Sequence, residues 1–304
     1  MSILPRLSLA LLLLAGLVSV PATTRLMASA ADGPVASGLP AQKAALKTVA
    51  AKAADIPFSN EYEFQAEAQL LTLANQSRKQ AGAPPLTLDA GLSKAARKHA
   101  LAMLEAQQLS HRLDGELSLP VRLAAQTALQ LDQEGENVAL DYDAPDGHEH
   151  LMLSPPHRAN LLNPAYNVVG LGVVRSGDRL YIVQDFGHAL PTYLSAEVKD
   201  QVAAAVNQMR HQASQPNLRR TDQLTADDAA CSMAQADKLG TPPVRKLAER
   251  STVLTFTSLH PDTLPAEAGH AISSLTLRTY SVGACYSRTD TYPAGVYWIV
   301  LSLE

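Results

Sequence analysis

A chain of 304 residues exceeds the usual size of a single hydrophobic core, so its length predicts two domains. With 46% hydrophobic and 18% charged residues, it has the composition of a globular protein able to bury sizeable cores. The net charge of −4 and the lack of any long basic run exclude nucleic acid as the natural partner, because phosphate binding needs concentrated Lys and Arg.

The first residues, MSILPRLSLALLLLAGLVSVPA, read as a secretory signal peptide over 1–22. Arg6 supplies the positive end, Leu7 to Val20 the apolar run, and Val20-Pro21-Ala22 the small-residue cleavage site, with Ala28-Ser29-Ala30 as a second choice. An uncleaved anchor is the other reading, although the run falls short of the about 20 apolar residues that span a bilayer. The expected mature protein has no stable membrane span and is secreted, extracellular or periplasmic. Residues 23–58 form an Ala-rich linker without a sustained apolar period.

Order is expected to begin near Asn60. Phe64, Leu71, Ala74 and Arg78 fall on helical spacing, with Gly82 at the C-cap. Pro84-Pro85-Leu86-Thr87-Leu88 is an extended connector, after which Asp89 caps a helix with Leu92, Ala96, His99 and Met103 on its inner face. Leu109 to Tyr142 is less regular. A third helix is predicted from about His148 to Leu153, and a fourth from Pro156 or His157 to near Leu162. Strands at Tyr166–Val174 and Arg179–Phe186 are joined by the turn Ser176-Gly177-Asp178. Helices on both sides of a small antiparallel sheet give an α+β fold, an α/β/α sandwich.

An internal repeat extends this reading. Asn75-Gln76-Ser77-Arg78-Lys79-Gln80-Ala81 recurs at an offset of 132 as Asn207-Gln208-Met209-Arg210-His211-Gln212-Ala213, and Pro84, Leu86 and Leu92 match Pro216, Leu218 and Leu224. Later the offset becomes 113, pairing His157 with His270, Gly170 with Gly283, and Gly172 with Cys285. A degenerate second copy of similar fold, about 19 residues shorter in its middle, is therefore expected over 191–304, after a first domain at 59–190. An oxidising compartment permits Cys231 and Cys285 to pair, with two buried free thiols as the alternative.

Four stretches of the first copy carry the chemistry: Ser110-His111 with Asp114-Gly115 behind it, Gly135-Glu136-Asn137-Val138-Ala139, Ser154-Pro155-Pro156-His157-Arg158, and Asn167-Val168-Val169-Gly170-Leu171-Gly172. In this order, behind a signal peptide, they resemble the CAP superfamily of cysteine-rich secretory, antigen 5 and pathogenesis-related proteins (SCP domain), in its cysteine-poor bacterial secreted branch. That resemblance implies an α/β/α sandwich and a central cleft of two histidines and up to two acids, able to bind zinc or another divalent cation. Carried over, the metal-binding residues are His111, His157 and Glu136. The register of the second acid falls on Leu151 and Ser154, which leaves Glu149 or His150 as further candidates. Neutral imidazoles suit zinc, and Glu136 could fix a histidine tautomer.

Other readings of the same residues stay open. His111 can cap a helix end, His157 can make a structural hydrogen bond, and Glu136 can satisfy loop amides. His99 reads as packing, and His148 and His150 as surface residues. His148-Glu149-His150-Leu151-Met152 lacks the spacing of a zinc-protease helix, and no Gly-x-Ser-x-Gly elbow or P-loop occurs. The resemblance implies lipid, sterol or other cell-envelope ligands. A binding protein is the first expectation. A metal-dependent, peptidase-like hydrolase in the same cleft, or an envelope interaction scaffold, is the alternative. The second copy keeps His270 but nothing matching His111 or Gly-Glu-Asn, so it is expected to be structural or to bind a protein partner.

Overall fold

The computed structural model describes residues 62–304, so the signal-peptide and linker expectations lie outside the described residues. The first copy runs α1 (Phe64–Ala81), β1 (Thr87–Leu88), α2 (Ala90–Ala106), α3 (Leu119–Ala124), β2 (Leu131–Asp141), α4 (Ala144–Leu153), α5 (Pro155–Leu162), β3 (Val168–Ser176) and β4 (Arg179–Ala189). Gly82 ends α1 with φ 75°, and the Asp89 carboxylate accepts from the Leu92 amide at 2.7 Å to start α2. The sheet has the order β1-β3-β4-β2, with β1 parallel to β3 and the other pairs antiparallel. It is thus a mixed sheet around an antiparallel core.

Strand alternation sorts the core into two layers. Val169, Leu171, Val173, Ile182 and Phe186 pack toward α1, α4 and α5. Val174, Tyr181, Val183 and Val138 pack toward α2. On that second face α2 lies directly on β3. A Cβ added at Gly170 would stand 2.1 Å from the Leu92 carbonyl carbon, and one at Gly172 would stand 2.2 Å from that of Ala96.

The second copy runs α6 (Ser195–Gln212), β5 (Arg219–Arg220), α7 (Leu224–Ala236), α8 (Pro242–Ala248), β6 (Thr252–Ser258), α9 (Ala268–Ile272), β7 (Thr279–Ser287) and β8 (Val296–Leu303). Its sheet order, β5-β7-β8-β6, repeats the first, including the parallel first pair. The repeat reaches the buried arginines. Arg78 donates from Nε to the Pro84 carbonyl and from its two Nη atoms to the carbonyls of Leu161, Asn163 and Tyr166. Arg210 donates in the same way to Pro216, Ile272 and Ser274. Each guanidinium thus gathers the ends of a helix and two loops by their backbone oxygens. Burial lowers the Arg78 pKa.

Gly283 repeats the close approach of Gly170, its missing Cβ falling 1.9 Å from the Ala226 carbonyl oxygen. At the position of Gly172 stands Cys285, and it is bonded to Cys231 of α7. At this second position the first copy brings helix and strand together by omitting a side chain, and the second by a covalent bond.

Two stability outcomes follow from these contacts. Gly170→Ala is expected to lower stability by about 3 kcal/mol or more, because the clash is with helix backbone that cannot rotate away; urea unfolding measures it, and an unchanged midpoint would refute the contact. Reducing Cys231–Cys285, which closes a separation of 54 residues, should cost up to about 4 kcal/mol and lower the thermal midpoint; a Cys231→Ser, Cys285→Ser chain should melt like the reduced protein.

Candidate functional site

The site grows from the edge strand β2. Because side chains alternate, Glu136 faces the α2 and α3 side while Asn137 faces α5. On the first side, Glu136 accepts from His111 Nδ1 at 2.9 Å and from Arg122 Nη2 at 2.6 Å. Arg122, on α3, also donates to Glu116 at 3.1 Å and to the His111 carbonyl at 3.2 Å. Glu116 in turn accepts from His99 Nδ1 at 2.8 Å and from the Leu113 amide at 3.0 Å, which folds the loop that presents His111. Burial alone would raise the Glu116 carboxyl. The hydrogen bonds from His99 and Leu113, with the nearby charges of His99 and Arg122, outweigh it and hold the group below its ordinary range.

Asp185 stands directly opposite Glu136 in the β2–β4 ladder and is fully buried. Burial, then the charge of Glu136, raises its pKa well above the ordinary carboxylate value, with Arg122 pulling the other way. Of these two neighbouring acids, Glu136 receives the guanidinium hydrogen bond, while Asp185 Oδ1 is buried without a hydrogen-bond partner among the described residues.

On the opposite face Asn137 donates to the His157 carbonyl and to Gln184, and Asn160 of α5 donates to the Glu136 carbonyl and to Asn137. These bonds fasten the start of α5 to β2. Ser154 is the N-cap residue of α5, yet its hydroxyl is spent on His157 Nδ1 at 2.9 Å and not on a backbone amide. Burial, and then the charge of His111, lower the His157 pKa. The helix N-terminus favours the same neutral ring.

His111 and His157 therefore arrive from opposite faces of the sheet and meet at its edge, their ring centroids 6.5 Å apart. Their Nδ1 atoms are engaged by Glu136 and Ser154. Among the described residues no hydrogen bond engages either Nε2. The His111 side chain is 59% exposed, whereas that of Glu136 is 3% exposed.

The structure brings together His111, His157 and Glu136 but not the further candidates. Glu149 is exposed on α4, and His150 bonds Asp141 at 2.7 Å, which raises its pKa by that hydrogen bond first and the carboxylate's charge second. His148 corrects the surface reading: it is buried, its Nε2 is 2.9 Å from the Ser77 hydroxyl, and burial lowers its pKa. His99 is buried as expected, but each ring nitrogen faces an acceptor, Glu116 or the Ser110 carbonyl, so it belongs to the polar network. Arg122, Glu116 and Asp185 escaped the sequence reading. A pair of polar residues, Gln184-Asp185, inside the apolar run Tyr181 to Phe186 was the available signal.

The donor set does not fit a three-ligand zinc centre. Both Glu136 oxygens are taken, one by an arginine whose positive charge occupies the place a cation would need. Among the described residues no group of three or more His, Cys, Asp or Glu side chains could hold a metal ion.

In the second copy, strand register puts Thr255 and Val300 opposite each other where Glu136 and Asp185 stand in the first, and Phe256 and Ile299 where Asn137 and Gln184 stand. Three of these four polar positions have become apolar, and the fourth holds a half-buried threonine.

Residues 71–186 match the model of the cysteine-rich secretory protein family, CAP. The chain is 30% identical over 112 residues to the uncharacterized protein YkwD of Bacillus subtilis, covering 36% of this chain and 43% of that one. It is 36% identical over 121 residues to the uncharacterized membrane protein YlbC of the same organism, covering 40% and 34%. The match thus spans less than half the length of either relative. Among solved structures, an extracellular protein with an SCP domain from Bacillus anthracis is 25% identical, with a TM-score of 0.38 over 44% of this chain and 45% of that one. The family match thus falls within the first copy, over residues 71–186, and identifies a CAP domain of the cysteine-rich secretory protein family there.

Proposed function

We propose that the first copy, within a domain spanning 59–190, is a secreted ligand-binding domain whose cleft receives the polar end of a hydrophobic or cell-envelope molecule, such as a lipid or sterol. The observation that carries this reading is the pair of imidazoles, 6.5 Å apart and held by their Nδ1 atoms, with no hydrogen bond among the described residues engaging either Nε2. Glu136 and Glu116 are already engaged by hydrogen bonds within the cluster. Exposed Leu109, Leu117 and Leu153 lie on the same segments as His111, Glu116 and Ser154, offering apolar surface beside the polar centre. Export is supported by the N-terminal signal pattern, and among the described residues no helix is long and apolar enough to cross a membrane.

A hydrolytic alternative would draw on the Ser154–His157 contact. The hydroxyl meets Nδ1, however, and among the described residues no carboxylate hydrogen-bonds His157 to orient the ring as general base. Binding is the better use of this geometry, and it requires no metal.

Binding of a fluorescent long-chain fatty acid and of a fluorescent sterol to the full chain tests the reading. His111→Ala and His157→Ala should each weaken at least one probe about tenfold, the scale of one hydrogen bond in a desolvated site, with folding retained. Unchanged affinity in both variants would remove the cleft from the binding event, and turnover of an ester or peptide substrate lost in the same variants would favour the hydrolase. A second expectation concerns charge. Followed by NMR, His157 should titrate below the ordinary histidine value, and His111→Ala should move its midpoint upward by removing the neighbouring positive charge. The folded state resists protonation of this ring. His157 therefore adds stability that is present above the ordinary histidine pKa and lost as pH falls through it toward the lower folded value.

A further inference from the structure

Among the described residues, hydrogen bonds and an ion pair tie the second copy to the first at two places, and both lie on the chain that joins Arg122 to Glu136. Arg288 donates from Nη1 to the Ala124 carbonyl at 2.8 Å and from Nη2 to the Thr127 carbonyl at 2.7 Å. These oxygens lie at the end of α3 and just beyond it, where carbonyls lack helical partners and attract a cation. Farther along, His260 Nε2 lies 3.0 Å from Asp132, whose other oxygen accepts from His188 at 2.6 Å. Asp132 is the extra residue of a bulge at the start of β2, between the pairs Leu131–Ala189 and Gln133–His188. Bulges re-aim side chains, and here the bulge lets one carboxylate receive a histidine from each copy.

The arm carrying Arg288 is built for reach. Where the first sheet closes over Gly177-Asp178, β7 and β8 open into the longer loop 288–295. Its base is fixed from below. Cys285 is bonded to Cys231 of α7, and Asp237, just after α7, accepts from the Thr289 hydroxyl and the Thr291 amide at 2.7 Å each. Burial would raise the Asp237 carboxyl, but these hydrogen bonds prevail and lower its pKa. The second copy has thus lost the cleft residues while its hairpin is anchored to hold the first copy's α3–β2 connection.

We infer that the second copy is an intramolecular clamp, with Arg288 as a positioning residue that sets α3, and through Arg122 the Glu136–His111 arrangement of the cleft. The chain of contacts is continuous: Arg288 to the Ala124 and Thr127 carbonyls, α3 to Arg122, Arg122 to Glu136, and Glu136 to His111. On the far side, Gly91 of α2 leaves no room for the connection to move away, since a Cβ there would stand 2.6 Å from the Gln126 oxygen. The clamp does not depend on which ligand the cleft takes.

The test uses the full chain, isotope-labelled, with Arg288→Ala, Arg288→Lys and Arg122→Ala. In Arg288→Ala, amide exchange over residues 122–130 should accelerate about tenfold, the scale of one charge-assisted hydrogen bond, while α2, β7 and β8 stay protected. The His111 ring-nitrogen shifts should move in the direction seen in Arg122→Ala, and Arg288→Lys should restore part of that movement. If His111 keeps its wild-type signals in Arg288→Ala, the contact is mere docking and the inference fails, whether or not local exchange rises. Should Arg288→Ala not yield folded protein, Arg288→Gln is judged by the same His111 signals.

Discussion

The closeness of helix α2 to strand β3 governs much of this molecule. Two glycines let backbone lie on backbone, so α2 has one possible height and rotation above the sheet. That placement brings His99 inward at the lower end of the helix, and His99 holds Glu116. Glu116 then shapes the loop that presents His111 and accepts one branch of Arg122. A polar cluster of this density would be unstable if its members could drift, because each unpaired buried charge costs several kcal/mol. The rigid contact keeps the partners within reach of one another.

The two-histidine site itself results from the pleat of one edge strand. Neighbouring residues Glu136 and Asn137 point to opposite layers, so one strand organises the α3 side by a carboxylate and the α5 side by an amide. Any strand points neighbouring residues to both layers; because β2 is an edge strand, the groups held on those two faces can meet around its open side. The two histidines reach the same rim from separate layers and share no secondary-structure element. Their spacing is a property of the sandwich as a whole.

The two copies show what such a sandwich needs and what it can lose. Strand order, the buried arginine under the loops and the helix-on-strand contact persist in both. These are the parts that satisfy backbone groups and pack the layers. The buried acids are absent from the second copy, where uncharged Thr255 and Val300 take their register, which removes the expense of desolvating charge. Freed from that task, the second copy gains a disulfide and a longer hairpin, and both serve the contact with the first.

Local chemistry alone was enough to place Gly82 as a C-cap, Asp89 as an N-cap, the turn at Gly177 and the helices on either side of Ser154, because each depends on residues within one turn of chain. The repeat, and with it the matched sheets, was legible because Arg78 and Arg210 recur within the same local sequence. The 11-residue strand β2 was not legible. Its Asp-Gln-Glu-Gly-Glu-Asn stretch reads as loop, and only pairing with β4 and burial of Glu136 make it a strand. Arg122, Glu116 and Asp185 were hidden for the same reason: a charged residue reveals its role only through a partner far away in sequence. Their convergence on Glu136, and the hold of Arg288 on the helix that carries Arg122, were decided by tertiary packing, because burial and long-range charge pairing have no periodic signature in the chain.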